Sequence, residues 1–333
     1  MKDVAEHAGV ALSSVSRVLN DHPDVSTQMK ADVHDAILAV GYEPNLLASS
    51  LRRGSTKTIG FLASDISNPL FAEIALGAER RLDDAGYTMV LANSEGSGVR
   101  DEEMIRLLRW RRTDGLILSV SDERREGTLA ELARLGEPIV LIDRDVKGLE
   151  GASGVSSDHA SGMRAAVDHL LDLGHTNIAL VSGPKSLRPV RERSRGFRKS
   201  FRARGLEPPE FLVRTGSFSA ESGEEATLEL FSSGTAPTAI IAAGNLLLTG
   251  VLRALRRLNL AVGSDVALVS CDEVPLTELH TPPITVIERD AVKMGELAAE
   301  LLLERIGTDG AARRILVPTS LVIRDSTRAM SLR

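Results

Sequence analysis

The stretch DVAEHAGVALSSVSRVLN, residues 3–20, decides how the chain begins. Val4, Ala5 and Ala8 fall at helical spacing and give a short helix one apolar stripe, which Gly9 ends. After the Gly9-Val10 turn the pattern resumes. A second helix over Leu12 to Leu19 buries Val15, Val18 and Leu19 and turns Leu12, Ser13, Ser16 and Arg17 outward. Two short helices joined by a turn of about four residues containing Gly, the second presenting polar side chains, have the form of a helix-turn-helix DNA reader. Ser13, Ser16 and Arg17 carry groups that hydrogen-bond base edges and phosphates in a major groove, and Arg17 suits a guanine or a phosphate. The alternative is a helical cap that only packs on the rest of the chain, but a cap would bury more than one face of its second helix.

Moving outward, a third helix follows Ser26 as N-cap, buries Met29, Val33, Ala36, Ile37 and Val40, and stops at Gly41. Three helices of these lengths make a small all-α bundle. Pro44 and Asn45 then open a short stretch, Leu46 to Arg53, that is apolar on one side and ends in Arg52 and Arg53; Gly54, Ser55 and Thr56 make a linker. Residues 1–44 are therefore expected to be a DNA-binding domain, and 45–57 a short connecting stretch with its linker. Residues 1–57 hold six basic against seven acidic side chains. DNA affinity must come from where charges and amide dipoles point, not from an overall basic field.

The whole chain has 333 residues, with 46 acidic and 40 basic side chains and a net charge of −6, and is too long for one ordinary compact core. Its longest apolar runs, such as Gly115 to Val120 and Pro138 to Ile142, are far too short to span a bilayer. Asp3, Glu6 and His7 interrupt the place where a secretory signal needs an apolar stretch, so export is not expected. The single Cys271 forms no internal disulfide, in keeping with a cytoplasmic location.

From Thr58 onward, short apolar runs alternate with amphipathic helical stretches. Strands are expected at Ile59 to Ser64, Thr88 to Ala92, Gly115 to Val120, Ile139 to Asp143, Ile178 to Ser182, Phe211 to Arg214, Ala239 to Ala243 and Val266 to Ser270. Helices lie between them, for example Phe71 to Ala85, Arg100 to Arg111, His159 to Leu173, Arg188 to Arg204, Ala220 to Phe231 and Leu246 to Leu258. Such alternation predicts right-handed crossovers and doubly wound parallel sheets covered on both faces. Roughly eight strands divide into two lobes, because the run from Gly151 to Asp158 restarts the pattern.

Ligands of open parallel sheets sit beyond the carboxyl ends of strands. Those positions are polar here: Asp65, Ser67 and Asn68, then Asn93, Asp143 and Arg144, then Asp158, Arg193, Asn245 and Asp272, with Phe71, Phe218 and Leu246 to cover apolar faces. Such a set suits a small polyhydroxylated or heterocyclic molecule. Each residue also has a purely structural reading. Asp65 and Asp158 are as suited to capping the next helix as to binding, and Arg193 could pair with Glu192.

The three stretches DVAEHAGVALSSVSRVLN (3–20), GYEPNLLASSLR (41–52) and TIGFLASDISNPLF (58–71) together resemble the lac repressor family of bacterial transcription regulators (LacI/GalR), and the likeness continues almost to the C-terminus. It implies a headpiece, a hinge helix that orders on operator DNA, and a core similar to periplasmic sugar-binding proteins. That core would have one subdomain of residues 58–157 and 285–315 and another of 158–284 and 316–330. Leu12, Ser13 and Arg17 would read bases, with Ser14, Ser16, Asn45 and Arg52 as further DNA contacts. Leu51 would be the hinge leucine that wedges into the minor groove, where partial unstacking kinks the duplex. Arg193 in RSRGF (193–197) and Asp272 in SCDEVPL (270–276) match the ligand anchors, and Phe71 and Phe218 match flanking positions. The expected effector site is thus Asn68, Phe71, Arg144, Asp158, Arg193, Phe218, Asn245 and Asp272.

Three positions depart from the family pattern. Ala11 replaces its Ser or Thr, removing an N-cap oxygen typically worth about 1 kcal/mol, with Ser13 or Ser14 as possible substitutes. Met1 stands where a Thr-Ile pair precedes Lys2, so the expectation is either that the first helix lacks its cap or that the true start lies slightly upstream. Gly244-Asn245 stands where the family commonly has Asn-Asp, so no family ligand is transferred by name.

The function expected is a sequence-specific, homodimeric repressor of a near-palindromic double-stranded operator. A sugar or related metabolite between the lobes would shift the dimer geometry and thereby the ordering of the hinge, a coupling that must be reciprocal. The C-terminal SLVIRDSTRAMSLR (320–333) lacks a heptad tail, pointing to a dimer. No cofactor, metal, membrane partner or catalytic residue is expected. An α/β enzyme is the first rival, but the chain has no G-x-G-x-x-G after the first strand, no P-loop, no H-E-x-x-H and no G-x-S-x-G. A solute-binding protein is the second, and it would have no use for residues 1–57.

Overall fold

In the computed structural model the described residues are 1–19, 22–42, 55–232, 234–308 and 310–327, and they fall into two compact units, Met1–Thr56 and Lys57–Arg333. The first unit holds helices α1 (Lys2–His7), α2 (Leu12–Leu19) and α3 (Thr27–Val40). They close on Val4, Ala5, Val15, Val18, Val33 and Ala36, with Leu19, Met29 and Ile37 partly buried against that core. Ser26 caps α3 as expected, its hydroxyl accepting from the Met29 amide at 3.2 Å, and Gly41 ends the helix at φ 60°. Met1 gives α1 no side-chain cap.

One expectation fails: Val40 is 37% exposed, and Leu38 beside it 80%. At 1.5 Å per residue α3 runs roughly 21 Å, while the α1 and α2 it packs against run roughly 9 and 12 Å. Among the described residues of this unit no helix covers its last turn.

The second unit contains two six-stranded sheets. In chain order the first half runs β1 (Thr58–Ala63), α4 (Pro69–Asp83), β2 (Thr88–Asn93), α5 (Gly98–Trp110), β3 (Gly115–Leu118), α6 (Glu126–Ala133), β4 (Ile139–Ile142) and β5 (Ser153–Ser157). The second half runs α7 (His159–Asp172), β6 (Ile178–Ser182), α8 (Arg188–Ala203), β7 (Val213–Thr215), α9 (Ala220–Ser232), β8 (Ala239–Ala242), α10 (Asn245–Arg257), β9 (Ala267–Cys271), α11 (Pro275–Leu279) and β10 (Thr285–Glu288). It is followed by α12 (Ala291–Leu303), β11 (Arg314–Val317) and β12 (Ser320–Val322). The first sheet, ordered β11-β5-β4-β3-β1-β2, is parallel throughout; the second, β12-β10-β9-β8-β6-β7, is parallel except for β12 against β10. Strands such as IVLI (139–142) are apolar along their whole length because helices cover both faces.

The expected strands are present with shifted ends. The run beginning at Phe211 begins instead at Val213, because residues 210–212 form a 3-10 turn that leaves Phe211 57% exposed. Strands β5, β10, β11 and β12 were not among the eight expected. Their pairing also moves the lobe boundaries. Residues 285–288 pair with β9 and so belong to the second sheet, and the chain returns to the first lobe only after them, not at 285. Residues 314–317 pair as one strand with β5, so the last crossing follows 317, not 315. The chain therefore passes between the sheets three times, after β5, after β10 and after β11.

Helices pack in pairs through glycine. A Cβ on Gly77 of α4 would lie 2.0 Å from the Val292 carbonyl oxygen of α12, and one on Gly295 would lie 1.9 Å from that of Ile74. The α9–α10 pair is built the same way, with Gly250 against Ala220. Such contact lets two backbones approach more closely than any larger residue permits. Among the described residues no helix is long and apolar enough to cross a membrane.

Candidate effector site and DNA-reading helix

The carboxyl ends of both sheets open on one cavity of about 340 Å³. From the first lobe it is lined by Ser64, Asn68, Phe71, Asp143 and Arg144 among others, and from the second by Arg193, Phe218, Leu246 and Asp272. Asn68 caps α4, its side-chain oxygen accepting from the Leu70 amide at 3.0 Å. The α8 helix carries Arg193 inward, where Nη1 donates to the Ala243 carbonyl at 2.9 Å. Of the eight residues expected at the site, six line this cavity: Asn68, Phe71, Arg144, Arg193, Phe218 and Asp272.

Two do not. Asp158 caps α7, accepting from the Ser161 amide at 3.1 Å, and its carbonyl takes the Thr319 hydroxyl at 2.9 Å. The β5–α7 junction is a crossing between lobes, and the carboxylate is consumed in starting the helix. Asn245 opens α10, buried behind the cavity wall, and its amide donates to the Asn68 oxygen at 2.9 Å, linking the lobes directly.

The organising residue is one the sequence did not suggest. Arg289, just after β10, has a side chain only 5% exposed, with Nη1 bonded to Asp143 and to the Ser157 hydroxyl (2.9 Å) and Nη2 2.9 Å from Asp272. Asp143 follows β4 of the first sheet and Asp272 follows β9 of the second, so one guanidinium ties the two lobes. Both aspartates sit at left-handed φ, 50° and 74°, a conformation that Asp tolerates better than most residues. A further tie joins Glu123 of the first lobe to α8, accepting from the Arg188 amide at 2.7 Å and pairing with Arg191 at 2.9 Å.

Charge in this cluster is strongly shaped by burial. Burial alone would raise the Asp143 carboxyl, but the charges of His159 and Arg289 and the hydrogen bonds from His159 and the Ser157 amide outweigh it and hold it well below the usual carboxylate range. Burial also pushes the His159 imidazole down to about 4, with Arg193 and Arg289 acting the same way against the pull of Asp143. His159 is therefore neutral near pH 7, its Nε2 hydrogen donating to Asp143 Oδ1 at 3.1 Å. As pH falls below the ordinary histidine value the unfolded chain takes up a proton that the folded one refuses, so stability drops. The loss runs from about pH 6.5 down to the folded value near 4 and reaches about 3 kcal/mol. Urea unfolding of His159→Gln should show this part of the slope removed; an unchanged slope would assign it to other groups.

On the first unit, Leu12 (46% exposed), Ser13 and Arg17 project from α2, while Ser14 and Ser16 are half-buried and Val15 and Val18 are buried. The outward edge is thus narrower than expected, because Ser14 and Ser16 flank the buried stripe. Asn45, Leu51 and Arg52 lie outside the described residues.

Residues 1–45 match the family model described as bacterial regulatory proteins, lacI family, and residues 167–327 match that of the periplasmic binding protein-like domain. The chain is 34% identical to the ribose operon repressor of Escherichia coli (strain K12) over 92% of each chain. The chain belongs to the lacI family. It is also 31% identical to the HTH-type transcriptional repressor PurR of Photobacterium profundum, over 99% of each chain. Among solved structures of lacI-family proteins, the lac repressor dimer bound to operator and the anti-inducer ONPF superposes with a TM-score of 0.85, at 31% identity and 98% coverage of both chains. The lacI-family arrangement of an α-helical headpiece ahead of a two-sheet α/β core is the one this chain adopts.

Proposed function

We propose that this protein is a sequence-specific transcription repressor, acting as a homodimer, whose hold on a near-palindromic operator is set by a small polar metabolite bound between the core lobes. The observation that carries this reading is the presence in one chain of an exposed α2 edge, Leu12, Ser13 and Arg17, and a cavity walled by both lobes whose lining mixes polar and apolar side chains. The first suits a major groove; the second suits a small molecule that favours one lobe geometry over another. Asn68, Phe71, Arg144, Arg193, Phe218 and Asp272 are the proposed effector contacts. Asn45, Leu51 and Arg52 are proposed to belong to a hinge that orders on DNA.

A dimer is supported by the edge strand β2, where Val90 and Leu91 are 40% and 42% exposed, and by Leu76 at 39% on α4, which packs against it. An apolar strand edge of this kind is normally covered by something.

Selection of bound sequences from random duplex by the full-length chain tests the reading. A two-fold symmetric site is expected, and its retention should change when an effector is added. No preference over random duplex at low salt, with and without candidate metabolites, sinks it. Arg17→Ala should cost about 1–3 kcal/mol on the selected site and relax preference at one base position per half-site, measured by competition binding. Uniform weakening across all sequences would make Arg17 a phosphate contact instead.

A further inference from the structure

The three passages between the sheets run along one edge of each: β11 and β5 lie at that edge of the first sheet, β12 and β10 at that of the second. The lobes therefore turn about this edge. Arg289 and its partners lie close to it, Asp143 following the strand next to β5 and Asp272 the strand next to β10. A bond beside the axis changes little as the lobes part. Two other bonds between the lobes are placed differently. Glu123, in the loop after β3, meets the start of α8, which follows β6; Asn68, after β1, meets Asn245, after β8. These positions stand two or three strands away from β5 and β10. At about 4.8 Å per strand that is roughly 10–14 Å, where a rotation of about 20° parts the bonded atoms by roughly 4 Å and leaves no hydrogen bond.

The Glu123 contact completes a helix that cannot complete itself. Leu187 at the N-cap of α8 makes no side-chain cap, and Pro189 in the first turn has no N–H. The Arg188 amide is satisfied from the opposite lobe, by Glu123 Oε1 at 2.7 Å, while Oε2 lies 2.9 Å from Arg191 Nη1 one turn further along. Glu123 is 2% exposed, and Arg144 of its own lobe adds a further attraction. A carboxylate at this place answers both the unmatched amide and the positive end of the helix dipole. The same helix carries Leu187 and Arg193 into the cavity wall, so this bond also fixes one wall of the effector site.

We infer that Glu123 is a latch: by capping a helix of the opposite lobe it holds the two lobes closed without an effector. This deepens the regulator reading, on which the latch's place in regulation rests. A ligand shifts an equilibrium only by its differential affinity for the two states, so a molecule entering between latched lobes changes their geometry by favouring the open form.

The test uses a thiol placed where the opposite lobe covers it. Asn245, on α10 and 4% exposed, touches Asn68 of the first lobe, so Asn245→Cys reports the parting of the lobes from a helix other than α8. Its modification by N-ethylmaleimide is followed by mass spectrometry on the full-length chain, with neither DNA nor effector present. Cys271, buried in the core and not part of the cavity wall, is the internal control for unfolding. Adding Glu123→Ala should speed modification at position 245 about tenfold or more, the scale of losing a hydrogen bond to a charged group. Glu123→Gln, which still accepts from the Arg188 amide but offers Arg191 no charge, should fall between the two, with Cys271 unmodified throughout. Equal rates at position 245 with and without the Glu123 carboxylate, or modification of Cys271 in step with it, would overturn the inference. Faster modification with operator retention unchanged by Glu123→Ala would count against the regulator reading alone.

Discussion

Replacing Arg289 with Met is expected to lower the stability of the core by about 3–5 kcal/mol, the usual cost of removing one partner from a buried ion pair. Met preserves the length and the packing of the side-chain stem. What it removes is the only cation bonded to Asp272 among the described residues, and the nearest one to Asp143, two carboxylates that are themselves only 9% and 7% exposed. The loss should show as a lower urea midpoint for the core transition. Adding Asp143→Asn and Asp272→Asn to Arg289→Met should recover most of the stability, since an uncharged trio no longer carries unpaired charge. If single and triple variants are equally unstable, packing is the cause and the electrostatic account is wrong.

The second large effect is expected from Gly295→Ala. A methyl group there would stand 1.9 Å from the Ile74 carbonyl oxygen and 2.7 Å from the Ala78 amide nitrogen. Both are backbone atoms inside α4, so no side chain can swing aside, and α4 and α12 must separate. Overpacking typically costs 1–3 kcal/mol, and a rigid backbone neighbour puts this case at about 3 kcal/mol or above. Gly136→Ala is the control: nothing lies within 4 Å of its Cβ position, and it should stay within about 0.5 kcal/mol of wild type. Thermal unfolding of the two variants side by side decides the point. Similar midpoints would mean the helices slide apart at little cost.

Much of this architecture was legible in the sequence where one local signal dominates. Ser26 and Gly41 bracket α3 by chemistry that acts within a turn, and TIGFLA or IVLI can only be strands covered on both sides. The misses have a common physical origin in long-range geometry. SGVSS (153–157) is a buried strand, but its small polar residues carry no apolar signature; Ser157 is buried because it faces Asp143 and Arg289. TVIE (285–288) was missed as a strand, so the position immediately after it, Arg289, could not be recognised as a cavity residue. Asp158 looked the same as Asp272 along the chain, each a carboxylate after a buried strand. Only the fold separates them, because one starts a helix at a crossing while the other reaches Arg289.

The three passages between the sheets also bear on how the chain is made. Each sheet receives an outer strand from the last part of the polypeptide, residues 314–317 on one side and 320–322 on the other. During synthesis neither lobe can acquire its full set of strands until residues 314–322 have been translated. A ribosome stalled or a chain clipped ahead of residue 314 would leave both halves one ribbon short, each with an open β5 or β10 edge ready to join a neighbour.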